Sequence, residues 1–300
     1  ELTKVLEEQN IFINNEAYKD IKFGIYARED LYDYMGNVAI ENNSLVAVSG
    51  IDEKGHLVNI PDLPIGTYFI KELSTNSQYV LDQDKEYSFE ISYRGKTVAE
   101  YTIQINHGII ENKLARGKIQ IVKKDNLDEN KKLENVEFDI SADKNMKKVI
   151  MTAKTDENGI ATFENLELGT YYIRETKQVE GYISNDYIYE VEVKEDGDLL
   201  KIEVYNQPTK MEFSKVDETN TNELPGATLQ IIDTGEIIEE WVSTNEPHII
   251  HYLQEGKEYV MREETAPYGY TISEEITFIA GDGQKIVMQD MPILKTVKIV

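Results

Sequence analysis

Three short phrases recur in the same order along this chain of 300 residues, and this repeat limits the folds that are open to it. The first phrase is an alternating apolar segment that ends in lysine. The second is Tyr-x-φ-x-Glu, with φ apolar, and the third is a closing segment that ends in Asn or Asp. The copies end, in order, at Lys4, Glu72 and Asn112, at Lys123, Glu175 and Asn206, and at Lys215, Glu263 and Asp290.

The spacing of the repeat predicts three domains of unequal length. The first two lysines are 119 residues apart (123 − 4) and the next two are 92 apart (215 − 123), so the first copy carries insertions, which we place around 32–49 and 78–100. Turn signals at 52–55 and 156–159 separate short runs with period-2 alternation, and no long segment has a helical period. Each copy therefore predicts a β-sandwich of about seven strands.

We accordingly predict an all-β protein of tandem Ig-like β-sandwiches, with domains at 1–115, 116–208 and 209–294. Residues 295–300 are predicted to begin a linker or the next strand. The segments from each acceptor to the next lysine are 11 (123 − 112) and 9 (215 − 206) residues long and are not rich in Gly and Ser, which predicts limited freedom between domains. Because the sequence begins and ends in strand-like segments, we expect it to be a piece of a longer protein.

Composition excludes several classes of function. The chain has no cysteine, which excludes disulfides, thiolate metal sites and cysteine nucleophiles. Its formal net charge of −25 argues against nucleic-acid binding, because phosphate backbones require a basic surface. No apolar run approaches the roughly 18 residues of a membrane helix, so we predict no membrane insertion in this part of the protein.

The sequence also predicts no metal ion and no cofactor. The acidic segment 125–130 lacks the glycine and the final glutamate of a calcium loop. His248 and His251 are three residues apart, which in a strand places them on opposite faces. Trp241 is interpreted as a packing residue rather than a platform for sugars.

Charged and amide residues fall on the apolar face of the predicted strands. Side chains two apart in a strand share a face, so Met211, Phe213 and Lys215 lie together, and the same alternation places all nine repeat residues on the core side. A single lysine or glutamate at a strand end usually turns toward water. A trio repeated three times in order is different, because burying unpaired charge is costly. We expect tight pairing or chemistry to compensate.

Amide formation is the chemistry that fits these residues. Burial lowers the pKa of an amine and raises that of a carboxyl group, so Lys215 would be a neutral nucleophile and Glu263 would stay protonated. A protonated glutamate can polarise the acceptor carbonyl and relay protons. We therefore predict three isopeptide cross-links, each formed once and without turnover, that release ammonia from an asparagine or water from an aspartate. The pairs are Lys4–Asn112, Lys123–Asn206 and Lys215–Asp290, with Glu72, Glu175 and Glu263 as the catalytic residues.

The third copy resembles a known family. Residues 259–270 resemble the E-box of Cna B-type (SpaA-like, prealbumin-like) domains of Gram-positive adhesins and pilins. Phe213-Ser214-Lys215 and the closing residues 287–290 resemble the fibronectin-binding-protein domain that was split into a reactive peptide tag and its protein catcher. The resemblance implies that Lys215 is the nucleophile, Glu263 the acid and base, and Asp290 the acceptor.

The other two copies match the family less fully. The second keeps residues 171–176 and a closing Asn-x-Pro at 206–208, but has Gln178-Val179 where the family usually has Ala-Pro. The first keeps residues 66–72 but lacks the Ala-Pro-x-Gly-Tyr tail. Two other lysines of the first copy compete there with Lys4 for the role of nucleophile, and these are Lys19 and Lys22.

The resemblance implies a structural stalk of an adhesin at the extracellular surface of a Gram-positive cell, anchored to the cell wall by sortase. Host extracellular-matrix proteins would then be partners of another part of the full-length protein. Three alternatives remain open. The chain is a pilus shaft or accessory pilin subunit, or a module that binds collagen, fibronectin or fibrinogen through the insertions of the first domain. The third alternative is an accessory β-domain of an enzyme, without cross-links.

Overall fold

The computed structural model describes residues 2–96, 102–295 and 297–298. The described residues form strands and two short 3-10 turns, Ala17–Asp20 and Asn106–Gly108, and no helix among them is long and apolar enough to cross a membrane. The predicted all-β class is confirmed. Parts of two predictions, the end of the insertion at 78–100 and the linker or strand at 295–300, lie outside the described residues.

The first predicted domain has more strands than the sequence predicts. The residues described for this domain form nine strands, which are β1 (Thr3–Leu6), β2 (Lys22–Ala27), β3 (Leu31–Tyr32), β4 (Val38–Ile40), β5 (Leu45–Ile51), β6 (Leu57–Val58), β7 (Gly66–Ser74), β8 (Tyr87–Ile91) and β9 (Ile109–Asn112). Strands β5, β2 and β7 are central to a five-stranded sheet in the order β6-β5-β2-β7-β8, while β1 pairs in parallel with β9. A separate hairpin, β3-β4, forms in and beside the predicted insertion at 32–49.

The second predicted domain has seven strands, as the sequence predicts. The strands are β10 (Arg116–Asp125), β11 (Glu137–Ser141), β12 (Met151–Lys154), β13 (Ile160–Glu167), β14 (Gly169–Lys177), β15 (Ile188–Val193) and β16 (Leu199–Asn206). They form two sheets, with the orders β13-β10-β16 and β12-β11-β14-β15.

Seven strands also form the third predicted domain. The strands are β17 (Lys210–Asp217), β18 (Thr228–Asp233), β19 (Glu236–Val242), β20 (His248–His251), β21 (Glu258–Thr265), β22 (Ile276–Ile279) and β23 (Lys285–Asp290). They form two sheets, with the orders β20-β17-β23 and β19-β18-β21-β22, and β17 pairs in parallel with β23.

Alternation of apolar and polar residues explains why these segments form strands with one buried face. In β23, Ile286, Met288 and Asp290 are buried while the residues between them are exposed. Met211 and Phe213 of β17 join Ile286 and Met288 in the core of the third domain. An apolar stripe of period 2 can be buried only on one side of a sheet, so this pattern fixes the register of each strand.

The chain divides into two compact units. The first contains residues 1–119, 164–171 and 190–200, and the second contains 120–163, 172–189 and 201–300. These units cut through the middle domain that the sequence predicts, so the limits 1–115, 116–208 and 209–294 stay predictions.

A buried carboxylate joins distant segments within the first unit. Glu167 accepts hydrogen bonds from the backbone N–H groups of Asn10, Ile11 and Phe12, at 2.8, 3.1 and 3.2 Å. The ring of Phe12 packs edge-on against Tyr171, with 5.4 Å between the ring centroids. Three N–H donors on one carboxylate hold the 10–12 segment against β13 and β14.

A second buried carboxylate joins distant segments within the second unit. Asp125 is buried, and its Oδ2 accepts hydrogen bonds from the hydroxyls of Tyr182 and Tyr252, at 2.8 and 2.9 Å. The ammonium of Lys131 lies 3.9 Å from the ring centroid of Tyr252, a cation–π contact. Tyr252 is 127 residues from Asp125 in sequence, so this contact joins the second and third predicted domains.

Candidate functional site

The structure brings the nine repeat residues together as three buried triads. In each triad the lysine and the acceptor lie on neighbouring strands of one sheet, and the glutamate lies on an inner strand of another sheet. All nine side chains are buried, and the lysines are 1%, 0% and 1% exposed in chain order. The triads are Lys4, Glu72 and Asn112, then Lys123, Glu175 and Asn206, then Lys215, Glu263 and Asp290.

Parallel pairing sets the distance between lysine and acceptor. Lys4 of β1 lies opposite Ile110 of β9, and Asn112 is two residues further along the same face. In the third domain Lys215 lies opposite Met288, and Asp290 is again two residues further. The offset is the same in both domains because side chains two apart in a strand share a face.

Each lysine nitrogen touches both other members of its triad. The Nζ atom contacts the acceptor Oδ1 in all three pairs, Lys4–Asn112, Lys123–Asn206 and Lys215–Asp290. The distances from Nζ to the glutamate Oε2 are 3.1 Å to Glu72, 2.8 Å to Glu175 and 3.1 Å to Glu263. The amine is therefore held between a carboxyl group and the carbonyl that it would attack.

The asparagine and aspartate triads differ in the remaining contact. Asn112 Nδ2 donates a hydrogen bond to Glu72 Oε1 at 2.9 Å, and Asn206 Nδ2 donates to Glu175 Oε1 at 2.8 Å. Asp290 has no N–H group to donate. The oxygens that correspond to this pair, Glu263 Oε1 and Asp290 Oδ2, are both buried without a hydrogen-bond partner. A proton held on one of these carboxyl groups would supply the missing donor.

The backbone next to each glutamate is irregular in the same way. A register shift follows Glu72, Glu175 and Glu263, so that one residue of the strand is left without a partner. Bulges of this kind bend a strand and re-aim its side chains. The residues opposite the three glutamates are apolar and fully buried, and they are Phe23, Phe138 and Leu229.

Aromatic rings also contact the lysines of the first two triads. Lys4 Nζ lies 5.8 Å from the ring centroid of Phe23, and Lys123 Nζ lies 5.7 Å from that of Phe138. These rings exclude water from the amines. Leu229 is the residue at the corresponding position of the third domain, opposite Glu263.

A tyrosine seven residues after each glutamate fastens the chain near the triad. Each tyrosine forms an isolated bridge with the residue two after the acceptor, in the pairs Tyr79–Leu114, Tyr182–Pro208 and Tyr270–Pro292. The hydroxyls donate to Glu7 O at 3.0 Å, Asp125 Oδ2 at 2.8 Å and Asp217 Oδ2 at 2.6 Å, respectively. The segment after each glutamate is thereby tied to the end of the first strand, or the residue after it, and to the residues that follow the last strand.

Burial shifts the pKa of four triad residues in the direction that amide formation needs. Desolvation lowers the pKa of Lys4 and that of Lys123 below the ordinary value for a lysine. Desolvation also raises the pKa of Glu72 and that of Glu263, against the opposing effect of the neighbouring lysine. The neutral amine and the protonated acid are both favoured by burial.

The competing lysines of the first domain lie elsewhere. The side chain of Lys19 is 62% exposed and pairs with Glu16 at 2.5 Å. Lys22 is also exposed, at the start of β2. Of the three lysines considered for the first domain, Lys4 is the buried one that contacts both Glu72 and Asn112.

The histidines and the tryptophan have packing roles. The ring of His248 stacks on Trp241 with 4.5 Å between centroids, and its Nε2 lies 3.2 Å from Glu239 Oε1. His251 Nδ1 lies 3.2 Å from the backbone oxygen of Thr209. Trp241 packs against the apolar core of the third domain. Across residues 2–96, 102–295 and 297–298, no three His, Asp or Glu side chains are grouped so as to hold a metal ion.

Two hydroxyl residues at the triads were not predicted from the sequence. Asn112 Nδ2 donates to Thr75 Oγ1 at 2.9 Å in the first domain. In the third, the backbone N–H of Ser273 donates to Glu263 Oε2 at 2.7 Å, and its Oγ lies 2.6 Å from Asp290 Oδ1. Neither residue belongs to a phrase of the repeat, so no pattern in the sequence singled it out.

Comparison with known proteins identifies the family. A family model described as the SpaA prealbumin-like fold domain matches three consecutive segments, 13–105, 117–208 and 209–292. The chain belongs to this SpaA family. SpaA-type domains are structural modules of Gram-positive pilins and surface adhesins, and the family is not one of catalytic enzymes. A comparison with curated sequences finds no significant match.

Several solved structures are similar to this chain. The Bacillus anthracis TIE protein is 26% identical with a TM-score of 0.67, and the alignment covers 97% of this chain and 50% of that one, so this chain spans half its length. BcpA, the major pilin subunit of Bacillus cereus, is 16% identical with a TM-score of 0.48, and the alignment covers 97% of this chain and 98% of BcpA. A streptococcal ancillary pilin is 20% identical with a TM-score of 0.32, and the alignment covers 98% of this chain and 99% of the pilin.

Proposed function

We propose that this chain is part of the stalk of a cell-wall-anchored adhesin on a Gram-positive surface, in which each SpaA-type domain closes itself with an isopeptide bond. One observation supports the proposal above all. In each of the three buried triads, the lysine Nζ contacts both the acceptor Oδ1 and the glutamate Oε2. Sortase attachment and contact with host matrix proteins would belong to other parts of the full-length protein.

The reaction needs no group from outside the domain. The neutral lysine amine attacks the side-chain carbon of the acceptor, and the new N–C bond replaces the C–N bond of asparagine or a C–O bond of aspartate. The glutamate takes the proton that the amine loses and passes one to the leaving group, which departs as ammonia or water. The fold supplies proximity, because the reacting atoms are already in contact.

The resulting bonds would join the first and last strands of each domain. They close loops between residues 108, 83 and 75 apart in sequence. By the loop-entropy relation for cross-links, each bond is worth about 4.5–5 kcal/mol. In the first and third domains the joined strands are parallel neighbours, so a pulling force that enters at the first strand and leaves after the last would pass through the covalent bond.

Intact mass spectrometry tests the proposal. The expected mass falls short of the sequence mass by two ammonias and one water, because the acceptors are Asn112, Asn206 and Asp290. Peptide mapping should recover three branched peptides that join each lysine to its acceptor. A mass equal to the sequence mass would show that the triads are only ion pairs, and the proposal would then be wrong.

A further inference from the structure

We propose that Ser273 is a catalytic residue of the third domain, which binds the oxygen of Asp290 that becomes the carbonyl of the new amide. The inference rests on the proposed cross-linking. An aspartate acceptor lacks the amide hydrogens of asparagine, so the third triad needs another hydrogen-bond donor for its activation.

Ser273 contacts all three members of the third triad. Its backbone N–H donates to Glu263 Oε2 at 2.7 Å, and its Oγ lies 2.6 Å from Asp290 Oδ1 and 3.4 Å from Lys215 Nζ. One residue thus orients the acid, the acceptor and the nucleophile together. The residues at the same distance after the other two glutamates are Asp82 and Asn185, neither of which has a hydroxyl group.

The two oxygens of Asp290 have different surroundings, and these indicate which oxygen stays in the amide and which one leaves as water. Oδ1 contacts Lys215 Nζ and Ser273 Oγ, whereas Oδ2 is buried without a partner. In the asparagine triads the atom that corresponds to Oδ2 is the amide nitrogen, which donates to glutamate Oε1 and leaves as ammonia. Oδ2 is therefore the oxygen that leaves as water, and Oδ1 is the oxygen that stays.

The Ser273 hydroxyl can favour the transition state over the ground state. It has one hydrogen and two acceptors within reach, the backbone oxygen of Gln289 and Oδ1 of Asp290. As Lys215 attacks, negative charge builds on Oδ1, and the hydroxyl hydrogen turns from Gln289 toward it. An interaction that strengthens as charge develops accelerates the step.

The atoms and protons of the step balance within the triad. The Nζ–Cγ bond forms and the Cγ–Oδ2 bond breaks. The neutral amine gives one proton to Glu263, and the carboxyl proton of Asp290 together with one proton from Glu263 leaves with Oδ2 as water. Glu263 ends in the state in which it began, and Ser273 changes only the direction of its hydrogen bond.

The test follows bond formation in the whole chain as it is made. The protein is produced by cell-free synthesis, samples are quenched in acidic denaturant at intervals, and the three cross-linked peptides are quantified by mass spectrometry after digestion. Ser273→Ala should slow the Lys215–Asp290 bond by about 10²-fold, as expected for loss of one oxyanion donor. The bonds of the other two domains are internal controls and should form at unchanged rates. Ser273→Thr keeps a hydroxyl and should restore most of the rate.

A double-variant comparison tests which oxygen of Asp290 Ser273 acts on. Asp290→Asn keeps Oδ1 beside Ser273 Oγ and replaces only the leaving Oδ2 by an amide group, so Ser273→Ala should slow the bond by a similar factor in both backgrounds. A Ser273→Ala effect that disappears in the Asp290→Asn background, or a wild-type rate for Ser273→Ala with Asp290 present, would overturn the assignment of Ser273. Absence of all three cross-linked peptides from the wild-type chain would instead overturn the proposed function.

Discussion

The proposed cross-link of the second domain can be removed with little change of volume by Lys123→Met. Lys123 is 0% exposed and lies beside the ring of Phe138, an environment that suits a methionine side chain. The substitution removes the nucleophile and leaves no unpaired amine in the core. The stability that is lost then combines the missing covalent bond with the contacts of Lys123 Nζ to Glu175 and Asn206, so the loop-entropy value is a lower bound.

The expected magnitude follows from the length of the loop that the bond closes. Lys123 and Asn206 are 83 residues apart, which gives about 4.5 kcal/mol by the loop-entropy relation. For a domain of this size each kcal/mol shifts the melting temperature by about 4–8 °C, so the transition of the second domain should fall by about 20–35 °C. The melting temperature of the second domain should fall further in Glu175→Gln, because this variant leaves the Lys123 amine buried and unreacted.

Differential scanning calorimetry of the full chain measures the shift, and intact mass confirms the loss of one bond. Lys118→Met is the matched control, because Lys118 lies on the same strand with its side chain half exposed and pairs with Glu164 at the surface. It should keep all three mass deficits and move the transition by no more than a few degrees. A Lys123→Met chain that melts within about 5 °C of wild type would refute the argument that the cross-link stabilises the domain through loop entropy.

Two further variants test electrostatic features of the structure. In Asn112→Ala the first bond cannot form and Lys4 stays a buried amine whose pKa is lowered by desolvation. A lysine with a folded-state pKa below its unfolded value of 10.5 opposes folding at lower pH, so the melting deficit of this variant relative to wild type should shrink as the pH rises toward 10.5; a deficit independent of pH would contradict this. Tyr252→Phe removes one donor from the buried carboxylate of Asp125 and should destabilise the second unit by about 1.5–3 kcal/mol in denaturant titrations without changing the mass. Tyr268→Phe, at a fully exposed ring, is its control, and equal effects of the two variants would rule out a role for the Asp125 contact.

Much of the fold could be predicted, because period-2 alternation indicates the strands and the order of the repeated phrases indicates the domains. The alternation around Lys215 and Asp290 predicted strands with those residues on the core face, and both residues are buried there. The strand count was right for the second and third domains. It was too low for the first, because the hairpin β3-β4 forms in and beside a region that we interpreted only as an insertion.

The contacts that complete the sites could not be predicted, because they depend on tertiary geometry. Ser273 is 10 residues from Glu263 and 17 from Asp290, and no periodicity connects the three. Tyr252 reaches Asp125 across 127 residues. The bulge after each glutamate was also not predicted. Its unpaired residue is Leu73 in the first domain, Thr176 in the second and Glu264 in the third, and these side chains have no chemistry in common.

Parallel pairing of the first and last strands also determines when a domain can close. The strand that carries Lys4 is synthesised first and the strand that carries Asn112 last, so the pocket that desolvates the amine does not exist until the whole domain has emerged. Until then Lys4 is an ordinary solvated ammonium ion and cannot react. The chain therefore stays linear during synthesis and can pass a narrow pore as a single extended strand. Once the proposed bond has formed, a domain would contain a covalent ring, and the same passage would no longer be possible.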